Sequence, residues 1–345
     1  LAELVDIEKT HPSLQTLDSP TLRVGGRPLE GFVTVAHRIP MLSMDNTYSL
    51  DELRQFDQRI RKLLEGEPVR YTVEPKIDGV SISLTYENGV FVRGVTRGDG
   101  KQGDDVTSNI RTIRSLPLHL QKHHVGVPAV IEVRGEIYFS KRDFAAINEA
   151  RDEEGETTFA NPRNAAAGTL KMLDPKIVAS RPLRVFVYAI GYQEGLDGIN
   201  DQLHALKLLK DLGLPVVPHV ESFDDLEKLL QHIDQWAGQR HALEYEVDGM
   251  VIKVVDFAQR DQLGSTSKSP RWQVAYKYAA EQAITKLLAI DVQVGKSGKL
   301  TPVAHLEPVH LSGTTVSRAS LHNDEEIQRK DIRVGDHVVV EKAGE

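Results

Sequence analysis

Residues 71–89, Tyr-Thr-Val-Glu-Pro-Lys-Ile-Asp-Gly followed by Val-Ser-Ile-Ser-Leu-Thr-Tyr-Glu-Asn-Gly, constrain the fold of this chain more than any other stretch. Tyr71-Thr72-Val73 reads as a strand, residues 80–86 alternate apolar and polar side chains, and Glu87-Asn88-Gly89 is a strong hairpin turn signal. Lys76 then falls at a strand end, just before the Asp78-Gly79 turn and between two carboxylates, Glu74 and Asp78. A lysine placed there faces a cleft and is a candidate nucleophile.

A free lysine titrates near ~10.4, so about one in 2,500 is neutral at pH 7, and activating it takes roughly 4–5 kcal/mol. Repulsion from other cations and partial desolvation both disfavour the ammonium. A nucleophilic Lys76 therefore predicts further Lys and Arg converging on one pocket. Taken alone, Lys-x-Asp-Gly equally describes a solvated lysine in an Asp-Gly turn, so the other motifs decide.

They follow in order along the chain: Thr96-Arg97-Gly98-Asp99-Gly100, Glu132-Val133-Arg134-Gly135-Glu136, Asn161-Pro162-Arg163-Asn164-Ala165-Ala166-Ala167-Gly168, Val247-Asp248-Gly249-Met250-Val251-Ile252-Lys253 and Trp272-Gln273-Val274-Ala275-Tyr276-Lys277. Together with Lys-Ile-Asp-Gly this set resembles the NAD-dependent bacterial DNA ligases, over residues 1–345. The Asn-Pro-Arg-Asn-Ala-Ala-Ala-Gly run carries most of the specificity.

Composition is compatible with that resemblance. A chain of 345 residues is long for one core, so two or more domains are expected. Hydrophobic residues make up 40%, with no apolar run long enough to span a bilayer and no signal-like start, which predicts a soluble protein with no membrane partner. With no cysteine, disulfides and a thiolate zinc site are excluded within this chain, as suits a cytoplasmic enzyme. A net charge of −8 argues against wrapping nucleic acid with the whole surface, so local basic clusters carry any DNA contact.

Residues 1–9 carry apolar positions at helical spacing with no N-cap before them, so the sequence reads as starting inside a helix. Ser19-Pro20 and Gly25-Gly26-Arg27-Pro28 read as a linker. Ser49 and Glu52 form a capping-box pattern ahead of a helix with Leu50, Leu53, Phe56, Ile60 and Leu64 facing inward. Strands at 130–139, 184–190 and 246–255 mix with helices after Ser140, Asn200 and Ser222, the second closed by Gly213. Hairpins and clustered helices predict an α+β domain of antiparallel sheets with flanking helices. From about 281 the pattern changes to short strands at 284–294, 301–309 and 331–340, separated by Gly295-Lys296-Ser297-Gly298 and Gly313, which predicts a small barrel. The resemblance makes residues 1–30 the remnant of a helical domain that binds the nicotinamide mononucleotide half of NAD. It makes 31–280 the nucleotidyltransferase domain, and 281–345 part of an oligonucleotide-binding (OB) fold. The family's zinc module, helix-hairpin-helix region and terminal repeat have no counterpart in this chain.

Transfer of an adenylyl group to an amine needs an in-line nucleophile and cations that absorb charge on the phosphorus oxygens. The resemblance implies that Lys76 attacks NAD, expels nicotinamide mononucleotide and holds AMP, with Lys253 and Lys277, each following a strand-like segment, as phosphate clamps. It implies nucleotide contacts for Glu74, Arg97, Ser43 and Met44, although Met41-Leu42-Ser43-Met44 also reads as a packed lead-in segment. Glu136 ends an alternating strand, where its carboxylate accepts from ribose hydroxyls or pairs with Arg134. Asp78 orients Lys76, approaches a metal-bound water, or caps the turn. Asp248 is the candidate ligand of Mg²⁺ or Mn²⁺, since hard cations take carboxylate, water and phosphate oxygens. Arg163, in a small-residue run, suits a DNA or adenylate phosphate. Position 171, where the family usually has arginine, is Lys171, which keeps the charge and loses the bidentate fork. Arg240 aligns with a further family arginine. The histidines show no ligand spacing, and His123-His124 reads as a solvated loop.

The implied whole reaction uses NAD and nicked double-stranded DNA, in replication and repair, by a monomer in the bacterial cytoplasm at the nucleoid. Two other readings remain open on the residues. One is another lysine nucleotidyltransferase, such as an ATP-dependent ligase or a capping enzyme, which share Lys-x-Asp-Gly. The other is a DNA-binding fragment without catalysis.

Overall fold

The computed structural model describes residues 2–16, 18–24, 29–121, 126–278, 282–294, 300–311 and 314–341. The Gly25–Pro28 linker, His123-His124, the Gly295-Lys296-Ser297-Gly298 turn and Gly313 lie outside these residues. The chain divides into two compact units, Leu1–Tyr278 and Ala279–Glu345.

The first unit holds two large sheets. One has five strands in the order Asp45–Thr47, Gln273–Tyr276, Val247–Val254, Tyr71–Ile77, Glu221–Phe223. Its pairings are antiparallel except at the edge, where Asp45–Thr47 runs parallel to Gln273–Tyr276. The other is a four-stranded antiparallel sheet in the order Val90–Thr96, Val80–Glu87, Val130–Tyr138, Arg184–Glu194. The expected hairpin joins Val80–Glu87 to Val90–Thr96 through left-handed Asn88 and Gly89.

Each sheet buries one face against helices. On the five-stranded sheet lie Leu50–Leu63 and Leu226–Gln239, so that Leu53, Phe56, Ile60, Leu229 and Ile233 meet Tyr71, Val73, Ile252 and Val254. Ser49 caps the first helix by accepting from the Glu52 N–H, as the capping-box pattern predicts, while Glu52 returns a bond to Tyr48 N–H rather than to the cap residue itself. The four-stranded sheet packs against Pro162–Leu170, Pro175–Ser180 and Gln202–Asp211. Between the sheets Ile77, Tyr138, Val217, Tyr245 and Val247 form a smaller core, in which Tyr138 and Phe186 stack at 4.9 Å. The chain passes from one sheet to the other at Asp78-Gly79, two residues after Lys76.

Several boundaries differ from the sequence reading. Pro20–Val24 is a 3-10 turn rather than linker, its start tied to the first helix, Ala2–Thr10, by Ser19 and Thr21 hydroxyls donating to Glu8. The helix expected after Ser222 begins only at Leu226, because Asp225 supplies the cap and residues 221–223 are recruited as an edge strand. The Asn-Pro-Arg-Asn-Ala-Ala-Ala-Gly run is a helix, with Asn161 as cap and Pro162 in its first turn.

The second unit is a four-stranded antiparallel sheet in the order Thr314–Ser320, Leu300–Leu311, Gln282–Val294, His337–Glu341. Its two central strands are longer than the short strands expected, and bulges at Leu287/Ala289 and His305/Val309 break them. Leu287, Ala304, Leu306, Leu311 and Val340 form its core. Residues 331–336 are not strand; they follow the helix Asp324–Lys330, which ends at left-handed Asp331. Among the described residues no helix is long and apolar enough to cross a membrane.

Candidate active site

Lys76 stands opposite Gly249, and Glu74 opposite Val251, in the antiparallel pairing of Tyr71–Ile77 with Val247–Val254. Alternation sends Tyr71, Val73, Ile252 and Val254 to the helices and leaves Glu74, Lys76 and Lys253 on the other face. By the same alternation Asp248 belongs with Met250 on the helix side. A bulge between Val247 and Gly249 makes it the extra residue and turns it towards Lys76. Lys76 Nζ donates to both Asp248 oxygens, at 2.8 Å and 2.7 Å. Lys277 Nζ reaches the same carboxylate at 3.2 Å.

Lys277 follows the strand Gln273–Tyr276, and its N–H donates to the Thr47 carbonyl at 2.8 Å. Only a glycine at 249 permits this approach, since a Cβ there would lie 2.1 Å from the Tyr276 carbonyl oxygen. Ser43, exposed, and Met44, half-buried, immediately precede the neighbouring strand Asp45–Thr47.

Further along the same face Lys253 donates to Glu74 at 2.5 Å, both residues 3% exposed. Burial pushes the Glu74 carboxyl up and the Lys253 ammonium down, each towards its neutral form, while their mutual attraction opposes both shifts. The Tyr188 ring lies 5.1 Å from Lys253 Nζ. Arg260, held over the Trp272 ring at 4.2 Å and bonded to Val254 O and Gln202, adds a second buried cation near Glu74.

The four-stranded sheet supplies the opposite wall. Glu136 pairs in register with Ser81, whose hydroxyl donates to it at 2.8 Å. Burial pushes the Glu136 carboxyl up to about 7, against the lowering exerted by that hydrogen bond and by the charges of Lys76 and Arg163. Arg163, in the first turn of its helix, meets Asp78 at 3.3 Å. The backbone N–H of Arg97 donates to Ser81 O, which brings the glycine-rich turn to the same wall.

Lys76, Asp248 and Lys277 are thus joined directly, with Glu74–Lys253, Asp78–Arg163 and Glu136 around them. Other expectations fare differently. Arg134 pairs with Glu132 at 2.7 Å and not with Glu136. The group in contact with Lys76 is an anion, with the expected cation one carboxylate further away. Lys171 pairs with Asp104 at 2.8 Å, and Arg240 lies against the Tyr278 ring at 4.7 Å, at the end of Leu226–Gln239. Ser81, Tyr188 and Arg260 escaped the sequence reading. Ser81 had the only available signal, a polar residue at an alternating strand position, and its partner became visible only with the register.

The donor set does not form a resident metal centre. Asp248, the expected magnesium ligand, faces two ammonium groups, and Asp78 and Glu74 each have a cation. Among the described residues no group of three or more His, Asp or Glu is arranged to hold a metal. A nucleotide fits better. Glu74 Oε2 is buried with no hydrogen-bond partner, and Lys76, Lys253 and Lys277, each paired with a carboxylate, place three cations in the same site.

The sequence profile of the NAD-dependent DNA ligase adenylation domain matches residues 29–281, and that of the NAD-dependent DNA ligase OB-fold domain matches residues 284–345. This chain belongs to the NAD-dependent DNA ligase family. A DNA ligase of Pelotomaculum thermopropionicum is 54% identical, covering 100% of this chain and 52% of that protein. Those of Heliobacterium modesticaldum and Brevibacillus brevis are 50% and 52% identical, each covering 100% of this chain and 50% of their own length. The chain spans about half the length of the curated relatives it matches. Nucleotidyltransferase and OB-fold architectures, and an adenylation domain dependent on NAD, follow from that membership.

Proposed function

We propose that Lys76 takes AMP from NAD, and that the protein carrying this chain passes it to the 5′-phosphate at a nick in double-stranded DNA and seals the strand with the 3′-hydroxyl. The observation that carries this is the Lys76–Asp248–Lys277 bridge, which holds a lysine amine and a second cation on one carboxylate inside a cleft. Lys76 Nζ, after losing a proton, attacks the α-phosphorus of NAD. A phosphorus–nitrogen bond forms, the bond to the bridging oxygen breaks, and nicotinamide mononucleotide leaves with the electron pair. Asp248 orients Nζ through both oxygens and is the nearest proton acceptor.

Lys277 and Lys253 stabilise charge on the phosphate oxygens. Glu136 and Glu74 accept from hydroxyl and amino groups of the nucleotide, with Ser43, Met44 and Arg97 lining its other side. Asp78 holds Arg163 at the cleft. Arg163, Lys171 and Arg240 serve DNA phosphates, Lys171 without the bidentate grip of an arginine. Magnesium or manganese enters with the phosphates rather than through a protein-built site. On the same reading residues 1–30 belong to a nicotinamide-binding helical domain, 31–280 to the adenylation domain and 281–345 to the OB fold. The protein works as a monomer in DNA replication and repair, in the cytoplasm at the nucleoid.

Intact mass of the full-length protein tests this. A gain of one AMP from NAD, removed by nicotinamide mononucleotide and not by pyrophosphate, is the expected result. Removal by pyrophosphate instead would make it an ATP-type nucleotidyltransferase, and nick binding with no mass gain would make it a DNA-binding protein without this chemistry.

A further inference from the structure

Arg134 lies on the strand Val130–Tyr138 two residues before Glu136, so both side chains share the cleft face of the four-stranded sheet. It is 8% exposed. Nη2 donates to the Ile39 carbonyl at 2.6 Å and meets Glu132 at 2.7 Å. Nε lies over Gly191, where a Cβ would come within 2.5 Å of it. Nη1 is buried without a hydrogen-bond partner.

Ile39 belongs to the irregular segment that leads into Ser43 and Met44. This segment is stitched to the glycine-rich turn on either side of Ile39. His37 N–H donates to Lys101 O at 2.8 Å, the His37 ring bonds Arg97 O at 3.0 Å, and Met41 N–H donates to Gly100 O at 2.8 Å. Arg134 therefore ties the sheet that carries Glu136 to the middle of a segment bound at both ends to the Arg97 turn.

We infer that Arg134 is a positioning residue, which by holding the Ile39 carbonyl keeps residues 41–44 and the Arg97 turn in one geometry against the nucleotide. The inference rests on the proposed adenylation function for its consequence, not for its geometry. A strut of this kind acts on nucleotide binding and leaves the reacting amine untouched. Its loss raises KM for NAD without a matching fall in the maximal adenylation rate.

The test uses the full-length protein with Arg134→Met, Arg134→Lys and Gly191→Ala, the last displacing the guanidinium without removing it. Amide hydrogen exchange is followed at Met41, Leu42, Ser43 and Met44, with strand Tyr71–Ile77 as the control for folding. In Arg134→Met and Gly191→Ala, exchange at 41–44 and KM for NAD should each rise about tenfold or more, the scale of losing one charged hydrogen bond. The maximal rate should stay within about threefold, and Arg134→Lys should fall between, having charge but no fork. Unchanged exchange at 41–44 in a variant that keeps its strand protection overturns the inference, as does a lowered maximal rate at constant KM. Should Arg134→Met unfold, Gly191→Ala decides. If the wild-type protein gains no AMP from NAD, the adenylation function fails while the exchange result still judges the strut.

Discussion

The five-stranded sheet has two faces built from the same strands and opposite in chemistry. On one, Val73 and Val254 at 0% exposure and Ile252 at 2% meet Leu53, Phe56 and Leu229 from two helices. On the other, residues one position away are Glu74, Lys76 and Lys253, with Asp248 swung round by a bulge. Both faces are largely removed from water, yet only the first gains from it. Burying apolar area stabilises by about 25 cal/mol per Å², whereas burying charges costs several kcal/mol per ion before pairing offsets it. The cleft face is tolerated because each charge has an opposite neighbour, and those neighbours are the groups a nucleotide would exchange for its own. The helix face holds the sheet together; the cleft face carries the charges that the proposed chemistry uses.

The contrast can be broken most sharply at Lys76. Lys76→Arg keeps the charge beside Asp248 but guanidinium stays protonated, so AMP uptake from NAD, read by intact mass, should vanish while the melting temperature barely moves. Next comes Lys253→Met, which strands Glu74 as a buried unpaired carboxylate and should cost about 3–5 kcal/mol by denaturant titration. The double variant with Glu74→Leu should recover most of that loss and still take no AMP. A double variant as unstable as the single one would mean that packing, and not charge, sets the cost.

Glu136 gives an effect of roughly 3 kcal/mol that depends on pH. Its carboxyl is raised from 4.5 to about 7, so the folded protein binds this proton more tightly than the unfolded one. Its contribution to stability is complete below pH 4.5 and is lost as pH rises through 7. Nucleotide-free wild type should therefore lose stability across that window relative to Glu136→Gln, and parallel stability curves would contradict the burial of this group. Lys277→Ala should slow single-turnover adenylation by ~10²-fold or more, the scale of one lost electrostatic contact. At the small end, Ile252→Val on the helix face should cost about 0.5–1.5 kcal/mol and leave the adenylation rate unchanged.

The helix face was legible in the sequence because it obeys local periodicity. Leu53, Phe56 and Ile60 recur at helical spacing behind a Ser49 cap, and the hairpin at Asn88-Gly89 follows from turn chemistry. Motif order marks Lys76, Glu74, Lys253 and Lys277 as candidates for one site, and their convergence needs the register that sets Lys76 against Gly249. Asp248 reads from sequence alone as a metal ligand because nothing local announces the bulge that delivers it to two lysines. Of the two readings open for Glu136, the pairing with Arg134 is not what forms; the partners of Arg134, Glu132 and the Ile39 carbonyl, come from the same strand and from a distant segment. The second unit was harder. Its two central strands are visible in the sequence at 284–294 and 301–309, but the edge strand Thr314–Ser320 is not, nor is the helix Asp324–Lys330, although Asn323 caps it by accepting the Glu326 N–H.

Peptide mapping of the full-length protein after exposure to NAD asks directly whether the cleft face does what its geometry suggests. AMP on the peptide containing Lys76, and on no other lysine, is the predicted result. AMP on Lys253 or Lys277, or an unmodified protein under conditions where it binds NAD, would contradict it.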